Sequence, residues 1–189
     1  VERVPQKLAS STSPQRPRLL IVSYSDIEHD ARLRKQIDLL IPDYDVTVVG
    51  HGAPFETDAE LVLFPSADTK WTERLRAAFL HAKRYRLAQR FEANNVAARK
   101  LLRGRTFDAV LTNDIEPVGM AIDLFGPDKV HADLHEYYPG LQDNDPAWVS
   151  LRQPYYEWML QHDVSRASSS TTVSKRIADL YDQRFGFRS

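Results

Sequence analysis

Arg18-Leu19-Leu20-Ile21-Val22-Ser23-Tyr24-Ser25-Asp26-Ile27-Glu28-His29-Asp30-Ala31-Arg32-Leu33 is the stretch that decides the fold. Leu19 to Ser23 is a short continuous run of the kind that forms a strand buried on both faces of a parallel sheet. A loop follows from Tyr24 to His29. Asp30 then stands where an N-cap belongs, ahead of Leu33, Ile37, Leu40 and Ile41 at helical spacing, and Pro42 closes the helix. Strand, short loop and helix in that order open a strand-helix-strand unit.

The same alternation continues outward from this stretch. Val46 to Val49, Leu61 to Phe64, Phe107 to Leu111, Val130 to Leu134 and Thr171 to Val173 read as strands, with Gly50 and Gly52 as a turn after the second. Trp71 to Leu102 contains neither proline nor glycine, and Trp71, Leu75, Ala78, Ala82 and Tyr85 form one apolar stripe, which predicts a single long helix ended by Gly104. Pro117 to Leu124 predicts a helix stopped by Gly126 and Pro127. Trp148 to Ala167 predicts a helix or broken helix, with Pro154 as a first-turn start or a kink, and Ser174 caps a last helix. Strands alternating with helices specify the α/β class: a Rossmann-like, doubly wound parallel sheet with helices on both faces. At 189 residues the chain has room for one such domain, expected over 18–189. Val1 to Pro17, with Ser10 to Ser13 followed by Pro14 and Pro17, shows no periodicity and is expected to be a disordered tail. No internal repeat is visible.

Composition narrows the function classes. Hydrophobic residues at 42% and charged residues at 27% are globular values, and no apolar run approaches the roughly 18 residues that span a bilayer. The absence of cysteine excludes disulfides and thiolate chemistry, and the N-terminus shows no secretory pattern, so a cytoplasmic address is expected. The net charge of −1 conceals an asymmetry. Between Lys70 and Arg90 stand Arg74, Arg76, Lys83, Arg84 and Arg86 against Glu73 alone, whereas from Thr106 to Asp145 carboxylates face only Lys129. The acidic stretch argues against nucleic acid as a partner. The basic one suggests peripheral contact with the inner face of a membrane, or with a lipid-linked acceptor.

Ligands of open α/β sheets bind beyond the carboxyl ends of the strands. Those loops are unusually polar here: Ser25, Asp26, Glu28, His29, Asp30 and Arg32 after the first strand, Asn113, Asp114 and Glu116 after the fourth, and Asp133, His135, Glu136 and Tyr137 around the end of the fifth. His135 can donate or accept near neutral pH. Asp30 has an ordinary structural role open to it as a helix cap. A metal held by Asp133, His135 and Glu136 is disfavoured, because consecutive side chains of a strand alternate faces. The chain lacks the G-x-G-x-x-G fingerprint, the phosphate-binding G-K-[ST] loop and the G-x-S-x-G elbow, which weakens dehydrogenase, NTPase and esterase readings.

In this order and at these spacings, Asp30-Ala31-Arg32-Leu33-Arg34-Lys35, Tyr44-Asp45-Val46-Thr47-Val48-Val49-Gly50, Phe107-Asp108-Ala109-Val110-Leu111-Thr112-Asn113-Asp114, Asp133-Leu134-His135-Glu136 and Thr172-Val173-Ser174 resemble the N-terminal domain of family 4 glycosyltransferases. The resemblance spans Arg18 to Gly186. It implies one half of a two-domain GT-B fold, and metal-independent transfer of a sugar from a nucleotide-sugar donor to an acceptor with retention. The N-terminal half would mainly receive a sugar or lipid-linked acceptor, with no further cofactor. By position it implies Asp30 and Arg32 at the mouth of the first helix and Asn113 and Asp114 on the cleft floor. His135 would orient or polarise a hydroxyl at the reacting centre, with Glu136, Asp133 and the neighbouring Tyr137 supporting it. Many members carry paired glycines in the first loop. Tyr24-Ser25-Asp26-Ile27-Glu28 stands here instead, which argues against close backbone approach to a pyrophosphate.

The family's donor-binding half would follow the last helix, and a chain beginning at Val1 and ending at Ser189 suggests a fragment without it. Two other readings stand beside this one: a non-catalytic Rossmann-like binding module, and a nucleotide or sugar-phosphate enzyme complete in one domain.

Overall fold

The structure, a computed structural model, describes residues 16–65 and 70–189. Its strands are β1 (Arg18–Asp26), β2 (Asp45–His51), β3 (Glu60–Leu63), β4 (Ala109–Asn113), β5 (Val130–Leu134) and β6 (Ser169–Thr172). Its helices are α1 (Ala31–Leu40), α2 (Lys70–His81), α3 (Tyr85–Arg90), α4 (Ala93–Leu102), α5 (Val118–Phe125), α6 (Pro146–Leu151), α7 (Gln153–His162) and α8 (Lys175–Phe185). The strands form one sheet in the order β3-β2-β1-β4-β5-β6, and every pairing is parallel. This is the doubly wound Rossmann-like arrangement.

β1 is the axis of the sheet. Leu19 to Val22 pair with Val46 to Val49 of β2 on one side and with Ala109 to Thr112 of β4 on the other. Its alternate side chains enter different cores. Leu19 and Ile21 pack with Leu33 and Ile37 of α1, while Leu20 and Val22 join the larger cluster built from α2 to α8 and from β2, β4 and β5. Leu20, Ile21 and Val22 are completely buried, and each contributes on the order of 1.5–3 kcal/mol of apolar burial.

The long helix expected over Trp71 to Leu102 is three helices. At the first break Lys83 adopts a left-handed conformation, φ 52°. The Arg84 N–H reaches the Phe79 carbonyl at 2.8 Å and the Lys83 N–H reaches the Leu80 carbonyl at 2.9 Å, the two bonds of a Schellman terminus. At the second break Glu92 is extended and caps α4, its carboxylate accepting from the N–H groups of Asn94 and Asn95 at 3.2 and 2.8 Å. The stripe from Trp71 to Tyr85 therefore does not pack on the sheet as one face: Trp71 is 71% exposed, and Leu80, Ala88, Ala98 and Leu102 are buried instead. Gly50 is likewise not part of a turn. It lies within β2, and its carbonyl accepts from Phe64 at 3.0 Å.

The segment from Trp148 to Ala167 is broken into α6, α7 and a short 3-10 turn, with Pro154 in the first turn of α7. Of the N-terminal tail expected over 1–17, residues 1–15 lie outside the described residues. The Pro17 carbonyl already accepts from the Asp45 N–H at 2.9 Å.

A buried polar tie joins three helical segments on the larger face. Gln89 of α3 donates to the Asp163 carboxylate just after α7 at 2.7 Å, and Gly119 of α5 lies against both. Burial pushes the Asp163 carboxyl above its usual range, outweighing the Gln89 hydrogen bond and the positive charge of Arg86.

Two outcomes follow. A Cβ at Gly50 would lie 2.7 Å from the Ser23 carbonyl oxygen and 2.6 Å from Ile27 Cγ2. Gly50→Ala is therefore expected to destabilise by about 1–3 kcal/mol, read as a lower urea midpoint. For Asp163 the pKa is raised in the fold, so its contribution is complete below the unfolded carboxylate pKa and is lost as pH rises through the folded value. Asp163→Asn keeps an acceptor for Gln89 and cannot ionise. Its Tm should match that of the unsubstituted protein near pH 4 and exceed it increasingly towards pH 8.

Candidate functional site

The strand order reverses between β1 and β4: the chain winds outward from β1 through β2 to β3, then returns to the opposite side. No helix can close the sheet's carboxyl edge at that point, so a crevice is left there. The polar residues of the strand-end loops meet around it.

Asp30 is the N-cap of α1, its Oδ1 accepting from the Leu33 N–H at 3.0 Å and its Oδ2 from the Ser25 hydroxyl at 2.6 Å. Burial alone would raise its pKa. The bonds from Ser25 and Leu33 and the charge of Arg32 more than offset this and hold the carboxyl below its usual value. Arg32, on the first turn of α1, sits 3.7 Å from Asp30 and 3.2 Å from Asp114, which also accepts from the Tyr138 hydroxyl at 3.0 Å. Asp114 takes a left-handed conformation, φ 68°, as β4 ends, and its N–H bonds the Asp133 carbonyl at 2.9 Å.

One turn after Arg32, Gln36 bridges the two strands that follow. Its carbonyl accepts from Asn113 Nδ2 at 2.9 Å, and its Nε2 donates to Asp133 Oδ2 at 2.8 Å. Asp133 Oδ2 also meets His135 Nε2 at 3.0 Å, while Oδ1 accepts from the Thr171 hydroxyl at 2.7 Å. Burial opposes ionisation of Asp133, but the Thr171 and His135 bonds and the charge of Arg32 hold its pKa below the usual range. A carboxylate facing Nε2 fixes the proton there, so Nδ1 of the neutral ring is an acceptor. Among the described residues Nδ1 has no partner.

Asp30, Arg32, Asn113, Asp114 and His135 thus belong to one side-chain network, linked through Gln36 and Asp133. Glu136 and Tyr137 do not join them. The Glu136 carbonyl accepts from the Tyr181 hydroxyl at 2.6 Å and its side chain is exposed. The Tyr137 ring lies 5.5 Å from Tyr181 of α8, with its hydroxyl taken by Arg184 at 3.2 Å.

A cavity of about 380 Å³ opens beside this network. Its walls are Tyr24 and Ser25 near the end of β1, Glu73 and Arg76 of α2, Glu92 and Asn94 at the start of α4, Asn113 at the end of β4 with Asp114 and Glu116 beyond it, and Arg152 and Tyr156. Asn113 and Asp114 belong to both network and cavity. Burial, with the charge of Asp114, pushes Glu116 above the ordinary carboxylate range even though Tyr156 donates to it at 3.1 Å. Two buried atoms of the walls, Asn113 Oδ1 and Arg76 Nε, have no hydrogen-bond partner among the described residues. Such orphans are costly in a closed fold and are expected where water or a ligand completes the set.

No family model and no curated protein matches this chain.

The strand-end pattern pointed to Asp30, Asn113, Asp114 and His135, but Gln36, Arg76, Glu92, Arg152 and Tyr156 were not singled out. Gln36 carried a readable signal, since it lies one helical turn beyond Arg32 on the same face. The group Asp133, His135 and Glu136 forms no ligand set. Among the described residues, three candidate metal-ligating atoms come within 4.8 Å of one another only in Asp26, Glu28 and His29, of which Asp26 and His29 are exposed and already bonded to each other at 3.1 Å.

The two roles of Asp30 are separable. Asparagine caps helices as well as aspartate, so Asp30→Asn should change stability by less than about 0.5 kcal/mol, whereas Asp30→Ala should cost about 1 kcal/mol in urea unfolding. Ligand binding lost equally in both variants would assign the charge of Asp30, acting with Arg32, to the site.

Proposed function

We propose that this chain is the acceptor-side half of a retaining glycosyltransferase, receiving a hydroxyl-bearing sugar or lipid-linked acceptor, while a second domain holds the nucleotide-sugar donor. The observation that carries the reading is the His135–Asp133 pair at 3.0 Å, tied through Gln36 to Asn113 on the wall of a polar cavity at the sheet's switch point. Carboxylates, amides, tyrosines and two arginines offer both acceptors and donors, the mixture that a polyhydroxylated ring requires. A diphosphate would need converging cations or helix N-termini, and the cavity wall opposes Arg76 and Arg152 with Glu73, Glu92, Asp114 and Glu116.

In this reading Asp133 orients the imidazole and keeps its proton on Nε2. Nδ1 then accepts a hydrogen bond from a sugar or acceptor hydroxyl and fixes the direction of its lone pairs. Asn113 and Asp114 position the same ring from below, and Arg32 holds the Asp114 side chain in place. Transfer also requires the donor in line with the acceptor inside a cleft that excludes water, and one wall does not supply this. A non-catalytic sugar-binding module is the second reading. It is favoured by the internal partners that Asp30, Asp114 and Asp133 already have.

Turnover assays and calorimetry separate the two. The 189-residue chain alone should transfer no sugar and bind nucleotide sugars poorly, and joined to a donor-binding domain it should transfer. In the joined enzyme His135→Ala should lower kcat on the order of 100-fold with little change in donor affinity. Robust transfer by the chain alone would overturn the half-enzyme reading, and an inactive fusion that still binds acceptor would favour the module.

A further inference from the structure

The break between α2 and α3 builds a second concave surface, which shares no lining residue with the cavity of the crevice. Because Lys83 turns left-handed, the chain bends sharply and Lys83, Arg84 and Arg86 surround a groove of about 300 Å³ whose floor is Tyr85, Leu87 and Trp158. From Lys83 to Arg90 the sequence holds four cations and no acid. Arg86 meets Asp123 at 3.0 Å, a carboxylate it shares with Arg99 at 2.7 Å, and its charge also acts on Asp163, while among the described residues Lys83 and Arg84 form no ion pair, so positive charge remains in excess.

The groove is also apolar where a site for a small hydrophilic anion would not be. Leu87 is 38% exposed, and Phe91, one helical turn further on and stacked on Phe79, is 40% exposed. Trp158 stacks between Tyr155 and His162 and presents an indole, which combines an apolar body with a polar N–H and suits a membrane–water boundary. Cations with snorkelling stems around exposed leucine and aromatic rings match a surface of anionic headgroups over acyl chains.

We propose that the α2–α3 turn docks this protein on anionic membranes, with Lys83 and Arg84 at the phosphates and Leu87 and Phe91 entering the headgroup boundary. The turn directly follows α2, the helix that carries Glu73 and Arg76 on the cavity wall, so docking would anchor the protein through an element of the site. The surface is independent of the reaction proposed for the crevice, and it stands or falls separately.

The test is cosedimentation of the chain with vesicles of phosphatidylcholine, alone or mixed with phosphatidylglycerol at about two to one. Binding is expected on the mixed vesicles only, and it should weaken as salt rises. Lys83→Gly with Arg84→Gln removes both charges at a position where glycine suits the backbone, and should weaken binding about 30-fold with an unchanged circular dichroism spectrum. Leu87→Asp is the second variant, removing the apolar contact on an exposed residue, and should also weaken binding. Equal partition onto both vesicle types, or wild-type binding by both variants, would overturn the proposal. So would binding of glycerol phosphate in solution without vesicle binding, which would reassign the groove to a soluble anion.

Discussion

The sheet is arranged around a strand whose middle, Leu19 to Ser23, is shut away from water. β1 is hydrogen-bonded on both edges, to β2 and to β4, and carries Leu19 and Ile21 into one core and Leu20 and Val22 into the other. A central parallel strand requires crossovers on each side, and crossovers leaving in opposite directions must part company at its carboxyl end. The opening that results is a product of topology, and its chemistry depends only on what the strand-end loops contain.

Here the loops contain charge, and the structure shows how that charge is held. Asp30 and Asp133 are both partly buried, and both remain acidic because hydroxyls, amides and Arg32 supply more stabilisation than burial removes. Glu116 has the opposite balance, because burial and the negative charge of Asp114 outweigh its own backbone N–H, the Tyr156 hydroxyl and the charge of Arg76. Two types of carboxyl within one site, one ionised and one inclined to keep its proton, give it both acceptors and a donor. Whether a partner molecule exploits that pair is a chemical question, and the sheet beneath is indifferent to it.

The frame was largely legible in the amino-acid order because strands buried on both faces leave compact apolar runs. β5 was predicted from Val130 to Leu134 and is found there, and Asp30 was read as a cap and is one. The three-way division of the crossover was not legible. Lysine is an unusual residue for a left-handed helix terminus, and glutamate is an unusual N-cap, so neither Lys83 nor Glu92 carries a stop or start signal. The candidate site was legible in the same proportion. Residues that immediately follow strands could be placed from strand order alone, which identified Asn113 and Asp114. Arg76, Arg152 and Tyr156 come from helices whose approach to the crevice is decided by packing. Glu136 and Tyr137 failed for a related reason: α8 captures them through Tyr181 and Arg184.

The crossover between β3 and β4 passes β2 and β1 and carries Glu73, Arg76, Glu92 and Asn94 on the cavity wall. Its described residues supply no strand, and β1, β2 and β4 pair without it. Scaffold and wall are therefore separable in evolution. Substitutions or length changes at the turns around Lys83 and Glu92 can reshape what the cavity admits while the hydrogen-bonded frame and the Arg32–Asp114 pair keep their geometry. Specificity in such a protein is expected to drift faster than fold, and to drift in α2, α3 and α4.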